Sequence, residues 1–497
     1  VKDITNQTIA LAKAALSNPI TVDDDLIKAF TESGVATQGI TAYDLQSPAL
    51  NLYPVLTPLR NSIPRVTGGK GIQANWKAVT GINVNQVSLG LGQGNRGGVM
   101  ATSTADYMAA FRGLGLDDYV TFEADYAAEG FQDVKALASL GLLRSVMLGE
   151  EKVLLGGNSS YALGTTPQPT VVASNAGGTL AAQTWSVICV ALTMDGFTTA
   201  SIANGIRGLV TRTNADQSVD TYGGGSARQS LAATGVVGAG GMGSLTSTVA
   251  SLEGASAYAW FWGAQGAEVL GAITTINSIS ITAPASGTQT AASLGANDNS
   301  TNQLIFDGLL TQVLKNGAGY FSAQPTGAAG QGTPLTADND GGIVEINNAL
   351  QWFWDDYRLS PDKIWVSSQE QKNINRKIMQ AGGNAAQRFV FSTDQGNVKG
   401  GVMVRSYLNP FSMDGAQEIP IKIHPNLPPG TIQFDCDEIP YSLSGVATLK
   451  RLLCRRDYYQ IEWPIKSRKR EYGVYFDGVL QNFFPPATGT ITNIANG

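Results

Sequence analysis

Charge is scarce in this chain: Asp, Glu, Lys and Arg make up 14% of 497 residues, against a usual share of about 25%. Much of the surface is therefore expected to be covered by partners or to be polar without charge. Histidine is scarcer still, with His424 alone, so no histidine pair can hold a metal and any catalytic triad would hang on one residue. The cysteines are three, Cys189, Cys436 and Cys454, widely spaced and without a C-x-x-C. That pattern indicates neither a disulfide framework nor a zinc site and suits a reducing compartment. Long apolar runs are absent: WSVICVAL, from Trp185 to Leu192, is too short to span a bilayer. No basic start followed by an apolar core marks a signal peptide, and a soluble, membrane-free protein is expected. The net charge of −6 supplies no global basic field, which argues against a dedicated nucleic-acid reader.

Glycine is plentiful, at 58 residues, and apolar residues make up 43%, enough for a large core and two to four structural units. The most informative stretch runs from Phe122 to Asn158, FEADYAAEGFQDVKALASLGLLRSVMLGEEKVLLGGN. Apolar residues recur at helical spacing and nearly ring the axis from Leu140 to Leu148. The pattern predicts one helix of roughly thirty residues, about 45 Å long, covered on most sides and stopped at Gly156.

The flanks differ in kind. Residues 1 to 66 carry two short helical patterns and then a run punctuated by Pro48, Pro54, Pro58 and Pro64, which reads as an arm. Between Gly68 and Val120 the β patterns GIQANWKAV and GINVNQVSL flank a turn expected at Thr80-Gly81, predicting a protruding hairpin loop. From Tyr161 to Ser300 only nine charged residues occur, and short β-prone runs bounded by turn residues predict an independent β-rich insert. From Asp338 to Pro440 the pattern is α/β. VEINNALQWFWDDYRL reads as an amphipathic helix, KIWVSS as a strand, and QEQKNINRKIMQAGG as a helix opened by a Ser367-x-x-Glu370 capping box and closed at Gly382. RFVFS and GGVMVRSYL add strands. The last zone alternates, with Tyr459, Ile461, Trp463 and Ile465 on one face and Gln460, Glu462 and Lys466 on the other, which predicts a long half-buried strand.

Catalytic readings weaken one by one. His424 lies in KIHPNLPPG, with no G-x-S-x-G nucleophile elbow anywhere, and reads as an ordinary strand-end residue. Two G-x-G-x-x-G matches, Gly92-Gly94-Gly97 and Gly238-Gly240-Gly243, lack the acidic residue expected about 20 positions on. TADNDGG, from Thr336 to Gly342, departs from a calcium loop at its first and last ligand positions and reads as a turn. The neighbouring carboxylates Asp23-Asp24-Asp25, Asp117-Asp118, Glu150-Glu151 and Asp355-Asp356 point apart on a helix or strand, and are expected as caps and solvated faces. The basic run Lys466 to Arg470 reads mainly as structural, with subunit salt bridges or weak DNA contact as the alternative. Tyr258, Trp260, Phe261 and Trp262 are expected to pack the core of the insert. No residue is assigned a catalytic, cofactor-binding or metal-ligating role.

The order arm, hairpin loop, long helix ending in EEKVLLGGN, then VEINNALQWFWDDYRLSPDKIWVSS and the closing RRDYYQIEWPIKSRKREYGVYFDGVLQNFFPPATGTITNI resembles the major capsid proteins of tailed bacteriophages, the Hong Kong 97 shell fold. The resemblance covers residues 1 to 160 and 300 to 497 and rests on element order. It implies an α+β fold with an N-terminal arm (1–66), an extended loop (67–120), a peripheral domain with a spine helix (121–162 and 442–497) and an axial domain (301–441), interrupted by a β-rich insertion domain (163–300). It further implies a virion protein made in the cytoplasm of a bacterial host. Such a subunit assembles into hexamers and pentamers of an icosahedral head around double-stranded DNA. The partners implied are a portal at one vertex, a separate or cleaved scaffold and a decoration or cement protein, and no cofactor is implied. Some relatives join a loop lysine to an asparagine of a neighbour; here Lys70 and Lys77 sit in glycine-rich, wet surroundings, with Asn384 and Asn397 among the available asparagines, and no such crosslink is expected. The alternatives are an encapsulating compartment shell of the same fold, a tail or surface adhesin, and a large α/β enzyme with a β insert.

Overall fold

The computed structural model describes residues 53–129, 133–240, 242–315, 319–380, 403–413, 417–439 and 446–497. Pro54–Ala124 and Val134–Gly497 form one compact unit. The other unit, Val1–Tyr53 with Asp125–Asp133, is described only at Tyr53, at 125–129, which includes the end of a short helix, and at Asp133. The two N-terminal helical patterns, Asp23-Asp24-Asp25, the RFVFS strand, Gly382, Asn384 and Asn397 lie outside the described residues.

The chain enters with helix α1 (Pro58–Ser62), opened by a proline whose missing N–H costs nothing at a first turn, and strand β1 (Arg65–Thr67). Strands β2 (Gln73–Ile82) and β3 (Thr102–Ala110) then pair antiparallel as a two-stranded ribbon. The expected turn at Thr80-Gly81 is instead a register slip within β2, between Val79 and Gly81. The stretch read as the return strand, GINVNQVSL, forms the first part of a tip running from 83 to 101. Asn83 and Asn85 hold that tip: each donates an amide N–H to a carbonyl, of Val87 and Val99, and accepts a backbone N–H, from Val87 and Ala101. Asparagine side chains that close a loop onto its own backbone compete with strand pairing there.

Strand β4 (Arg112–Thr121) leaves the ribbon for another sheet, and α2 (Phe122–Ala127) and α3 (Val134–Gly156) follow. The helical pattern is thus divided, with the poor helix-interior residues Gly130 and Asp133 between its parts. Helix α3 has 23 residues, about 35 Å at 1.5 Å each. Its far half is buried, but Leu137 and Leu140 stay exposed, so the helix is less covered than its apolar ring predicts. Gly156 and Gly157 serve close approach and not a left-handed stop: a Cβ on Gly156 would lie 2.2 Å from Met194 Sδ, and one on Gly157 2.4 Å from the Phe306 carbonyl.

Beyond the helix lie β5 (Thr170–Ser174), β6 (Thr184–Leu192), α4 (Met194–Thr199), β7 (Leu209–Thr213), β8 (Val219–Gly223), β9 (Ala233–Val236), β10 (Ser244–Thr248), β11 (Ala257–Gly263), β12 (Val269–Thr274) and β13 (Ser278–Ile281). They form a four-stranded sheet β12-β11-β6-β9, a three-stranded sheet β13-β10-β5 and the hairpin β7-β8. Alternation along β11 sorts its aromatics. Tyr258, Trp260 and Trp262 meet Leu245, Ile279 and Ile281 of the three-stranded sheet, while Phe261 faces Leu270, Ile206 and Leu294 on the opposite side. Both faces of β6 and β11 are covered, and their sequences accordingly read as unbroken apolar runs. The indole N–H groups of Trp260 and Trp262 donate to Thr274 Oγ1 and the Ala283 carbonyl at 2.8 and 3.0 Å.

The rest of the chain comprises α5 (Leu309–Leu314), β14 (Tyr320–Ala323), α6 (Val344–Tyr357), β15 (Lys363–Val366), α7 (Ser368–Gln380), β16 (Ser406–Asn409), β17 (Gln417–Ile423), β18 (Ile432–Asp435), β19 (Lys450–Glu462), β20 (Lys469–Asn482) and β21 (Thr488–Thr492). Six strands order as β14-β21-β18-β15-β17-β16. Ile346, Leu350 and Phe353 of α6 and Ile374 of α7 pack against Ile364, Val366, Ile421, Ile432, Phe434 and Ile491 of that sheet. Only half of the expected capping box forms, with Glu370 N–H donating to Ser367 Oγ at 3.2 Å. The Glu370 carboxylate is buried and accepts from Gly430 N–H at 3.1 Å instead, and burial raises its pKa.

The long sheet, β1-β19-β20-β4, carries α3: Val120, Leu142, Val146, Tyr472 and Val474 share one cluster. Strand β19 slips register against β20 twice, between Cys454 and Arg456 and between Arg456 and Tyr459. It ends at Glu462, leaving Trp463 and Ile465 exposed at the turn. The result is a mixed α and β architecture.

Candidate functional site

The last two turns of α3 place Glu150 and Glu151 where a helix C-terminus disfavours negative charge. Both side chains are 0% exposed, which corrects their expected place on a solvated face. Adjacent helical residues do point apart, but here each direction leads into protein.

Glu150 faces the long sheet. It accepts from Arg65 Nη1 at 2.6 Å and Arg60 Nε at 3.2 Å, and from the Tyr458 hydroxyl. Arg65 also binds Asp457 at 2.5 Å, and its guanidinium lies 4.7 and 4.8 Å from the Tyr458 and Phe476 ring centroids, within cation–π range. Burial alone would lower the Arg65 pKa, but the Asp457 hydrogen bond and the Glu150 charge raise it. For Tyr458, burial and then the Glu150 charge push the hydroxyl up. Asp457 is held below the ordinary carboxylate range because the Arg65 hydrogen bond outweighs desolvation.

Glu151 faces the other way. Its Oε1 accepts from Leu59 N–H at 2.8 Å and pairs with His424 Nε2 at 2.7 Å, while Oε2 accepts from Arg60 N–H at 2.7 Å. Because Asn426 N–H donates to His424 Nδ1 at 3.1 Å, the proton of a neutral imidazole sits on Nε2 and is given to Glu151. His424 follows β17, and its own N–H donates to the Val366 carbonyl of β15. Through two adjacent carboxylates, α3 is therefore tied to α1, to β1, to the long sheet and to the end of the six-stranded sheet. Every carboxylate oxygen is engaged and no nucleophile is present, so the cluster is a tie and not a catalytic centre. The sequence signal for it was the acidic pair at a helix end just before the apolar VLLGG.

The other sequence-derived candidates disperse. Gly92, Gly94 and Gly97 lie in the ribbon tip, and Gly238–Gly243 leads from β9 into β10 and not into a helix, so neither cradles a phosphate. Asp338 accepts from Asp340 N–H, Gly342 N–H and Asn347 Nδ2, which makes TADNDGG a self-satisfied turn. Within the basic run, Arg468 pairs with Glu123 at 2.8 Å and Lys469 with Glu471 at 2.5 Å. Lys70 and Lys77 are exposed. The three cysteines are free and buried. Among the described residues no His, Cys, Asp and Glu are grouped to hold a metal, and no helix is long and apolar enough to cross a membrane.

No protein-family model matches the sequence, and no curated protein matches it. Solved structures do resemble the model. The capsid of a native GTA particle is 8% identical with a TM-score of 0.42, over 94% of this chain and 100% of that one. The capsid of cyanophage A-1(L) is 10% identical with a TM-score of 0.41, over 91% and 97%. The SrpI encapsulin of Synechococcus elongatus PCC 7942 is 9% identical with a TM-score of 0.37, over 92% and 93%. At these identities and scores the likeness is loose.

Proposed function

We propose that the chain is the major capsid protein of a tailed bacteriophage, a structural subunit that closes into an icosahedral head as hexamers and pentamers around double-stranded DNA. One observation carries this reading. The β2–β3 ribbon and its tip present Ile72, Leu89 and Val99, between 80 and 93% exposed, on a two-stranded element that is marginal alone in water. Patches of this kind mark interaction sites, and a subunit that repeats around a shell supplies the missing cover from its neighbours. In this reading the ribbon is the extended loop, α3 with the long sheet is the peripheral domain and its spine, and the six-stranded sheet with α6 and α7 is the axial domain. A portal, a scaffold and a decoration protein are the further partners it calls for, and the shell is held by contacts without crosslinks through Lys70 or Lys77. Electron microscopy of the purified chain tests it: closed shells are expected, and discrete oligomers or fibres would overturn it.

The residues from 163 to 300 are an insertion domain in the same reading. Its ends meet, with Leu163 N–H donating to Ser300 Oγ at 2.9 Å and Gly164 N–H to Asp298 at 2.7 Å, the geometry that tolerates insertion and removal. Excising Tyr161–Ser300 with a short linker should leave shells that still close, seen by negative-stain microscopy. Loss of all closed particles, with the truncated subunit still folded by circular dichroism, would count against it.

A further inference from the structure

The six-stranded sheet gives up β18 at Asp435, and the long sheet takes up β19 at Lys450. The two side chains meet as an ion pair, each 2% exposed. Neither Lys450 Nζ nor Asp435 Oδ1 has a hydrogen-bond partner in good geometry among the described residues. Only Asp435 Oδ2 receives a further donor, the Trp365 indole N–H at 3.4 Å. An ammonium has three N–H donors, and a buried one left this bare is costly.

The surroundings sharpen the point. Lys363, in register with Asp435 across the sheet, is bound to Asp437. Asp362 accepts from the N–H groups of Asp437 and Glu438 at 2.6 and 3.4 Å. Burial, and then the Lys363 charge, push Lys450 well below the ordinary lysine range, with Asp362 opposing. A dry pair of this kind relaxes by passing a proton from nitrogen to oxygen, which leaves a neutral amine against a carboxylic acid. Desolvated lysine is a nucleophile, and proximity replaces the need for activation from outside.

We propose that Lys450 and Asp435 condense into an isopeptide bond within the subunit, stapling the six-stranded sheet to the long sheet. The Nζ lone pair adds to Asp435 Cγ, and the tetrahedral intermediate then breaks one C–O bond. That oxygen leaves as water, taking the acid's own proton and one of the two amine protons. Nothing is oxidised or reduced and no co-reactant is consumed. Asp362 is the neighbouring carboxylate for carrying the amine proton to the leaving oxygen. The bond is internal, so it adds no higher band on a denaturing gel, and it is independent of whether the subunit builds a shell.

Mass spectrometry of the denatured chain tests it. A tryptic digest should contain a branched peptide joining Lys450 to Asp435, lighter by one water than its two arms. Lys450→Met should abolish that peptide and make the intact chain heavier by one water than the substitution alone accounts for. Linear peptides carrying unmodified Lys450 and Asp435, or a water deficit that persists in Lys450→Met, would overturn the proposal. Because the wild-type measurement is made on unfolded chain, it decides even if the variant fails to fold.

Discussion

Glu151→Ala is expected to destabilise the unassembled subunit by on the order of 3–5 kcal/mol, a large part of a typical total of about 5–15 kcal/mol. The carboxylate is the shared acceptor for Leu59 N–H, Arg60 N–H and His424 Nε2. Its loss strands three buried donors at once. Glu151→Gln keeps the size but sets an amide N–H against one of those donors, so an intermediate loss is expected. Chemical denaturation followed by fluorescence measures both, with Glu129→Ala as the control. A change under about 1 kcal/mol for Glu151→Ala, the range of surface substitutions, would show that the tie bears no load.

The second large effect concerns assembly. Phe111 N–H already donates to the Ile72 carbonyl at 3.1 Å, so the ribbon leaves and re-enters the fold at one point. Excising Gln73–Ala110 and bridging Ile72 to Phe111 with a short turn should cost the subunit only roughly 1–2 kcal/mol, since Ala74, Ala109 and Trp76 are its main contacts with the rest. Closed shells should be abolished. Microscopy of the excised chain is the readout, and normal shells would remove the central support for the shell reading.

Much of the architecture was legible because it rests on local pattern. Poverty of charge marked the insert, and period-two alternation with flanking glycine marked the ribbon. The errors have physical causes. The return strand was misplaced because GINVNQVSL has strand composition, while Asn83 and Asn85 close it onto its own backbone. Gly156 and Gly157 were read as a left-handed stop, yet their reason lies at Met194 and Phe306, contacts far along the chain. The tie at Glu150 and Glu151 was missed because adjacency on a helix says only that two side chains diverge. Whether each direction meets water or protein depends on α1, β1 and His424, the farthest of them 273 residues away.

The double slip in β19 has a parity. Each slip adds one residue to β19 that β20 does not match, and one extra residue turns a strand's facing inside out. Two restore it, so Tyr459 and Ile461 point the same way they would on an unbroken strand. Deleting Arg455 alone would invert everything from Tyr459 to Glu462 and turn Tyr459 away from its partner Tyr475. Removing one residue at each slip would shorten the ribbon and leave its two faces where they are. Length in this strand can change only in even steps.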